Sequence, residues 1–96
     1  MISRTEKNPN LIAGIIIAGN CIRDLEDGRC LSIVELAKKY QRDRSYISKI
    51  MKLQFLSPKI KALILEGNQP RSLTMQSLIK IANHLNWKTQ ENALGL

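Results

Sequence analysis

The stretch Ser32-Ile-Val-Glu-Leu-Ala-Lys-Lys-Tyr-Gln-Arg-Asp-Arg-Ser-Tyr-Ile-Ser-Lys-Ile-Met-Lys-Leu53 decides the fold. Apolar residues at Ile33, Leu36, Ala37 and Tyr40 fall on one helical stripe, and Ile47, Ile50 and Met51 fall on another. Between the stripes lies Gln41-Arg42-Asp43, with Asp43 placed to cap the second helix. Ser32 caps the first helix, and Glu35 three residues later completes a Ser-x-x-Glu capping box. Ala37 is small enough to let two helices approach closely. Two short helices about a tight turn, the second polar and basic on its outer face, predict a helix-turn-helix over residues 32–53.

Outward from that unit, the pattern predicts a compact all-α domain of five helices. Residues 1–9 read as a flexible N-terminal tail and residues 10–96 as the helical domain. The first helix runs from Asn10 to Asp27, with Leu11, Ile15, Ala18, Ile22 and Leu25 on its inner face, and Gly28 ends it. Gly14 and Gly19 each weaken that helix by roughly 1 kcal/mol relative to Ala, which predicts close packing there. Ser57-Pro58 launches the fourth helix, whose stripe is Ile60, Leu63 and Ile64 and which Gly67 stops. Thr74 caps the fifth, with Leu78, Ile81, Ala82 and Leu85 facing inward and His84 on its polar edge. Trp87 begins a polar tail.

Ninety-six residues, 44% of them hydrophobic, suffice for one modest core without a metal. No apolar run of about 18 residues marks a transmembrane helix. The apolar segment Leu11 to Ala18 lacks the basic flank and cleavage site of a signal peptide, which predicts a cytoplasmic, nucleoid-associated protein. Cys21 and Cys30 are too few for a disulfide scaffold, and with His84 they leave a zinc site short of ligands. Cys21 is expected in the core and Cys30 partly exposed. There is no paired-carboxylate, Cys-His or phosphate-loop arrangement, so no catalytic residue, metal or cofactor is expected.

The net charge of +7 is unevenly spread. Residues 1–37 hold four basic against five acidic side chains, whereas residues 38–96 hold eleven against three. The basic excess begins at the helix-turn-helix, as expected of a phosphate-backbone binder. On a helix whose N-terminal end enters the major groove, the outward positions are Arg44, Ser45, Ser48, Lys49 and Lys52, with Tyr46 at the margin. Arg44 suits bidentate readout of guanine, and Ser45 and Ser48 can donate to bases or phosphates. Lys49 and Lys52 suit phosphates, as do Lys38, Lys39 and Arg42 beside the turn. Lys59, Lys61 and Arg71 read first as solvated.

From Leu11 onward the chain resembles a module at the C-terminal end of serine site-specific recombinases of the resolvase/invertase kind. The residues carrying the resemblance are Ser-Ile-Val-Glu-Leu-Ala at 32–37 and Arg-Ser-Tyr-Ile-Ser-Lys-Ile at 44–50. Beyond these come Leu56-Ser-Pro58, Ile64-Leu-Glu-Gly-Asn-Gln-Pro70, Leu73-Thr74, Trp87 and Leu94-Gly-Leu96. The order of elements is also similar to the central DNA-binding region of ParB/KorB-type partition proteins. The resemblance implies DNA binding without strand exchange, because no catalytic domain accompanies the module and Ser3 and Arg4 cannot build one. Where the motif carries a glycine and then an apolar residue, this chain has Gln41 and Arg42. That departure implies a different turn or a strained backbone at Gln41, and an Arg42 that points outward.

The expectation is therefore sequence-specific binding of double-stranded DNA through a recognition helix at 44–53. The chain would serve as a small regulator or accessory factor of a mobile element or recombination system. Useful specificity from one such unit calls for a homodimer on paired half-sites, with Ile12, Ile16 and Ile17 of the first helix as its contact or as a second core face. A helical protein-interaction module with incidental DNA affinity is the alternative. Neither reading involves a membrane or a small-molecule substrate.

Overall fold

The computed structural model describes residues 7–96, so Ser3, Arg4 and most of the expected tail lie outside the described residues. It is all-helical there, with six α-helices where five were expected: α1 (Pro9–Glu26), α2 (Ile33–Tyr40), α3 (Arg44–Ile50), α4 (Pro58–Leu65), α5 (Met75–Ala82) and α6 (Trp87–Ala93). A 3₁₀ segment, Met51–Phe55, joins α3 to α4. No described helix is long and apolar enough to cross a membrane.

Caps account for most boundaries. Asn8 precedes Pro9 at the first helical position, and its side chain accepts from the backbone N–H groups of Asn10 and Leu11 at 3.0 and 3.2 Å. Ser57-Pro58 repeats the device at α4, and Thr74 caps α5 through Ser77 N–H. Ser32 accepts from Glu35 N–H, but Glu35 reaches back to Leu31 N–H rather than to Ser32, so the capping box closes one residue early. Asp43 occupies the N-cap position of α3 without a side-chain cap bond.

One hydrogen-bond pattern ends four helices. A residue with positive φ donates to the carbonyl three positions back, and its successor donates to the carbonyl five positions back. Gly28, Gly67 and Gly95 hold that left-handed position in three cases; the fourth is Gln41 at φ 54°. Gln41 N–H bonds Lys38 and Arg42 N–H bonds Ala37, so the strained-backbone alternative holds and Arg42 is turned outward.

The expected helix at 44–53 is corrected by the 3₁₀ segment. Ile47, Ile50, Leu53 and Leu56 are all fully buried, at a strict spacing of three. A winding of three residues per turn stacks such side chains in register, whereas an α-helix would rotate them off the core. The 3₁₀ segment packs on α1, α3 and α5 and forms the hub of the core. Above it, α1 buries Leu11, Gly14, Ala18, Cys21 and Asp24, not the stripe through Ile15, Ile22 and Leu25, which is only half-buried. Gly14 is the point of contact: a Cβ there would meet Met75 Cε at 2.5 Å and Leu53 Cδ1 at 3.4 Å. Gly19 has open space around it, so close packing explains only one of the two glycines. Ile12 and Ile17 pack against the core, and Ile16 is exposed.

Two further expectations are corrected. Cys30 is buried, because the turn after Gly28 folds the chain back and Cys30 N–H bonds the carbonyl of Asp24. Leu85 is largely exposed, since α5 ends at Ala82 and leaves His84 and Leu85 in the following loop. The polar tail is α6, capped by Asn86 and fastened by Gln90. Gln90 is fully buried; its carbonyl accepts from Ser57 N–H at 2.7 Å and its amide donates to the carbonyls of Phe55 and His84.

Two substitutions test these readings by urea denaturation. Gln41→Gly relieves a left-handed L-residue and should stabilise the chain by about 1 kcal/mol, whereas Gln41→Val should destabilise it. Gln90→Ala leaves Ser57 N–H buried without its partner, removes the bonds to the Phe55 and His84 carbonyls, and should cost about 2 kcal/mol.

Candidate nucleic-acid interface

The α2–α3 pair meets at a three-residue connection, Gln41 to Asp43. Leu36, Ala37, Ile47 and Ile50 point into the core from both helices. What remains outward on α3 is Arg44, Ser45, Ser48 and Lys49, all exposed, with Lys52 exposed on the 3₁₀ segment. Two open grooves flank this face. One is lined by Val34, Ala37, Lys38, Gln41, Arg42, Asp43, Arg44 and Tyr46, the other by Ile33, Val34, Asp43, Arg44, Ser45 and Ser48. Val34, Asp43 and Arg44 line both, so the two grooves meet along these residues, with Arg44 the basic one among them. Among the described residues, Arg44, Lys49 and Lys52 carry no ion pair, which leaves their charges available to an anionic partner.

The other candidates divide by what they already touch. Arg42 lies over the Tyr46 ring, its guanidinium carbon 5.0 Å from the centroid. Such stacking fixes both side chains at the turn and leaves the guanidinium edge open to an acceptor. Half-buried Tyr46 thus covers the turn. Lys39 is committed inward: its ammonium pairs with Asp24 at 2.8 Å while its side chain stays 43% exposed. Lys38 remains exposed. Lys61, read as solvated, donates to the Gln54 carbonyl at 3.1 Å.

Asp24 is the residue that sequence reasoning missed. Its side chain is 4% exposed and accepts from both Lys39 Nζ and Tyr40 Oη, which ties the C-terminal turn of α1 to the last turn of α2. Its backbone carbonyl also receives the N–H groups of Arg29 and Cys30. The signal was its place three residues beyond Cys21 on the buried face of α1. The hydrogen bonds from Lys39 and Tyr40 hold the Asp24 carboxyl below its ordinary value of 3.8. Burial, then the bond to Asp24, pushes the Tyr40 phenol up to about 12. Burial likewise raises the Cys21 thiol, which suits an inert core side chain rather than a nucleophile. Among the described residues no group of three or more His, Cys, Asp or Glu side chains is placed to hold a metal ion.

The pH dependence of stability follows in sign. A depressed carboxylate contributes stability that is complete above pH 3.8 and is lost as pH falls through its lower folded-state value. A raised phenol contributes stability that is complete below pH 10.0 and is lost as pH rises toward 12. Urea midpoints measured across pH should therefore fall at both extremes. Asp24→Asn should flatten the acid limb, and an unchanged acid limb in that variant would remove Asp24 from the account. The chain has no significant match among protein-family models, curated proteins or solved structures.

Proposed function

We propose that the α2–α3 pair is a helix-turn-helix that binds double-stranded DNA in a sequence-dependent manner, with α3 as the recognition helix. The observation that carries the reading is the outer face of α3. It presents Arg44 and Ser45 in the first turn, and Ser48 and Lys49 in the turn that follows, on a short helix whose inner residues Ile47 and Ile50 are buried in the core. An exposed guanidinium where the two grooves meet suits bidentate contact with guanine O6 and N7. Ser45 and Ser48 flank it as short donors. Lys49, Lys52 and Lys38 surround them as phosphate partners, which fix register without reading sequence.

The charge balance supports the same reading, because beyond residue 37 acidic side chains occur only at Asp43, Glu66 and Glu91. Lys39 has a smaller share than the other cations, since Asp24 already neutralises it. Its contribution is to orient α2, and Arg42 with Tyr46 stiffens the turn that aims α3. In this reading the chain is a small DNA-binding regulator or an accessory factor of a recombination system. Two copies on paired half-sites would supply the contact area that one short helix lacks. Ile16 is the exposed apolar residue that α1 offers to such a pairing.

Selection from a random duplex library, followed by binding isotherms at several salt concentrations, tests the proposal. A recurrent motif should be enriched. Arg44→Ala should cost about 1–3 kcal/mol on the enriched site and relax preference at one base position. Lys49→Ala should weaken all duplexes alike and lower the salt slope by about 1. Retention without enrichment would reduce the reading to non-specific duplex binding, and no retention at low salt would overturn it.

A further inference from the structure

A second exposed surface lies beyond α3, at the end of the 3₁₀ segment. Phe55 is 47% exposed, Trp87 53% and Leu85 78%, an apolar aromatic cluster on a strongly basic chain. Trp87 is held at Phe55 by its indole N–H, which donates to the Phe55 carbonyl at 3.2 Å. Buried Gln90 grips the same carbonyl, so the loop carrying Leu85 and Trp87 is fastened against residue 55. With the polar edge of the indole satisfied, what Trp87 offers to solvent is ring surface.

The cations around this cluster are placed by the same geometry. Three-residue winding eclipses Lys52 with Phe55, so the ammonium stem and the ring share one face. Lys61 reaches back to the Gln54 carbonyl, one residue from Phe55. Lys88 follows Trp87 directly and is exposed. Aromatic faces bordered by lysines match a polyanion that also carries flat apolar rings. A duplex keeps its rings stacked inside, whereas unpaired nucleotides present both phosphate and base face.

We propose that Phe55 and Trp87, with Lys61 and Lys88, form a stacking site for unpaired nucleotides beside the duplex-reading face of α3, with Lys52 at the border of the two. The rings stack on successive bases and the ammonium groups follow the backbone. The site does not depend on the duplex reading, and it would let one small domain hold duplex on one side and a melted or single-stranded stretch on the other.

Trp87 is the chain's single tryptophan, so its fluorescence reports the site directly. The full chain is titrated at low salt with an oligo(dT) strand of about twelve nucleotides, with a blunt duplex, and with polyglutamate. Oligo(dT) should quench Trp87 saturably, and Phe55→Ala and Lys88→Ala should each weaken it roughly tenfold. Arg44→Ala should leave oligo(dT) binding unchanged while impairing the duplex, which separates this proposal from the preceding one. Anisotropy of labelled oligo(dT) with Trp87→Ala should show the same loss without the reporter; both rings are exposed, and circular dichroism checks the fold. Absence of quenching, or indifference to Phe55→Ala, would overturn the site. Equal quenching by polyglutamate would assign it to an acidic protein, and quenching by concentration of the chain alone would assign it to a second copy. Quenching by duplex that Arg44→Ala abolishes would return Trp87 to the duplex face.

Discussion

The burial of the 3₁₀ segment beneath α1 and against α3 and α5 is the constraint on which the remaining packing depends. Gly14 eases the fit under α1: the tip of Met75 takes the space that a Cβ would occupy, and Leu53 Cδ1 lies at ordinary contact distance from it. This lets the hub segment sit beneath α1 and at the same time against α5 and α3. A small domain has few residues with which to build a core, so a single well-placed hub has a large effect. Leu53 and Leu56 bury completely as a result, and the segment that carries them cannot rotate as an α-helix would. The tight winding of residues 51–55 is thus imposed by burial on one side and leaves a defined row on the other.

That row links the two surfaces of the molecule. Lys49, Lys52 and Phe55 occur at the same spacing of three as Ile50, Leu53 and Leu56, displaced by one residue. The core residues set the winding, and the winding sets which cations and which ring share the outer face. Arg44 and its serines lie at one end of this outer face, and Phe55 with Trp87 at the other. The functional proposals therefore rest on the same packing that stabilises the fold.

The placement of α2 has a different origin. It packs chiefly on α3, and its tie to α1 is polar: Asp24 accepts from Lys39 and Tyr40 across a nearly buried site. A buried carboxylate is tolerated when its hydrogen bonds are made, and the loss of a partner is costly because the charge then stands uncompensated. The pairing orients α2 and hence the turn at Gln41. It also withdraws one lysine from the basic face that composition alone would assign to it. The left-handed Gln41 adds strain at the same turn, in a position that glycine takes at the ends of α1, α4 and α6.

The elements with explicit chemical punctuation were legible in the chain. Ser32, Ser57-Pro58, Thr74, Gly28 and Gly67 mark ends through local hydrogen bonds, so α2, α4, α5, the C-terminal end of α1 and the outward residues of α3 follow from sequence, whereas the Asn8-Pro9 start of α1 was assigned to the tail. The tail as α6 was missed because its anchor is Gln90, a polar side chain that pattern reading assigns to solvent; only distant Phe55, His84 and Ser57 make it a core residue. The inner face of α1 was read in part: Leu11, Ala18 and Cys21 are buried as expected, but Gly14 and Asp24, with little apolar weight, are buried where Ile15, Ile22 and Leu25 were expected and are only half-buried. Sequence by itself determined an all-helical chain with a basic, outward-facing α3, because caps and apolar spacing act within a few residues. Tertiary structure alone decided the 3₁₀ hub, the burial of Asp24 and the exposure of Phe55, Leu85 and Trp87, because each depends on which distant surfaces compete for the same space.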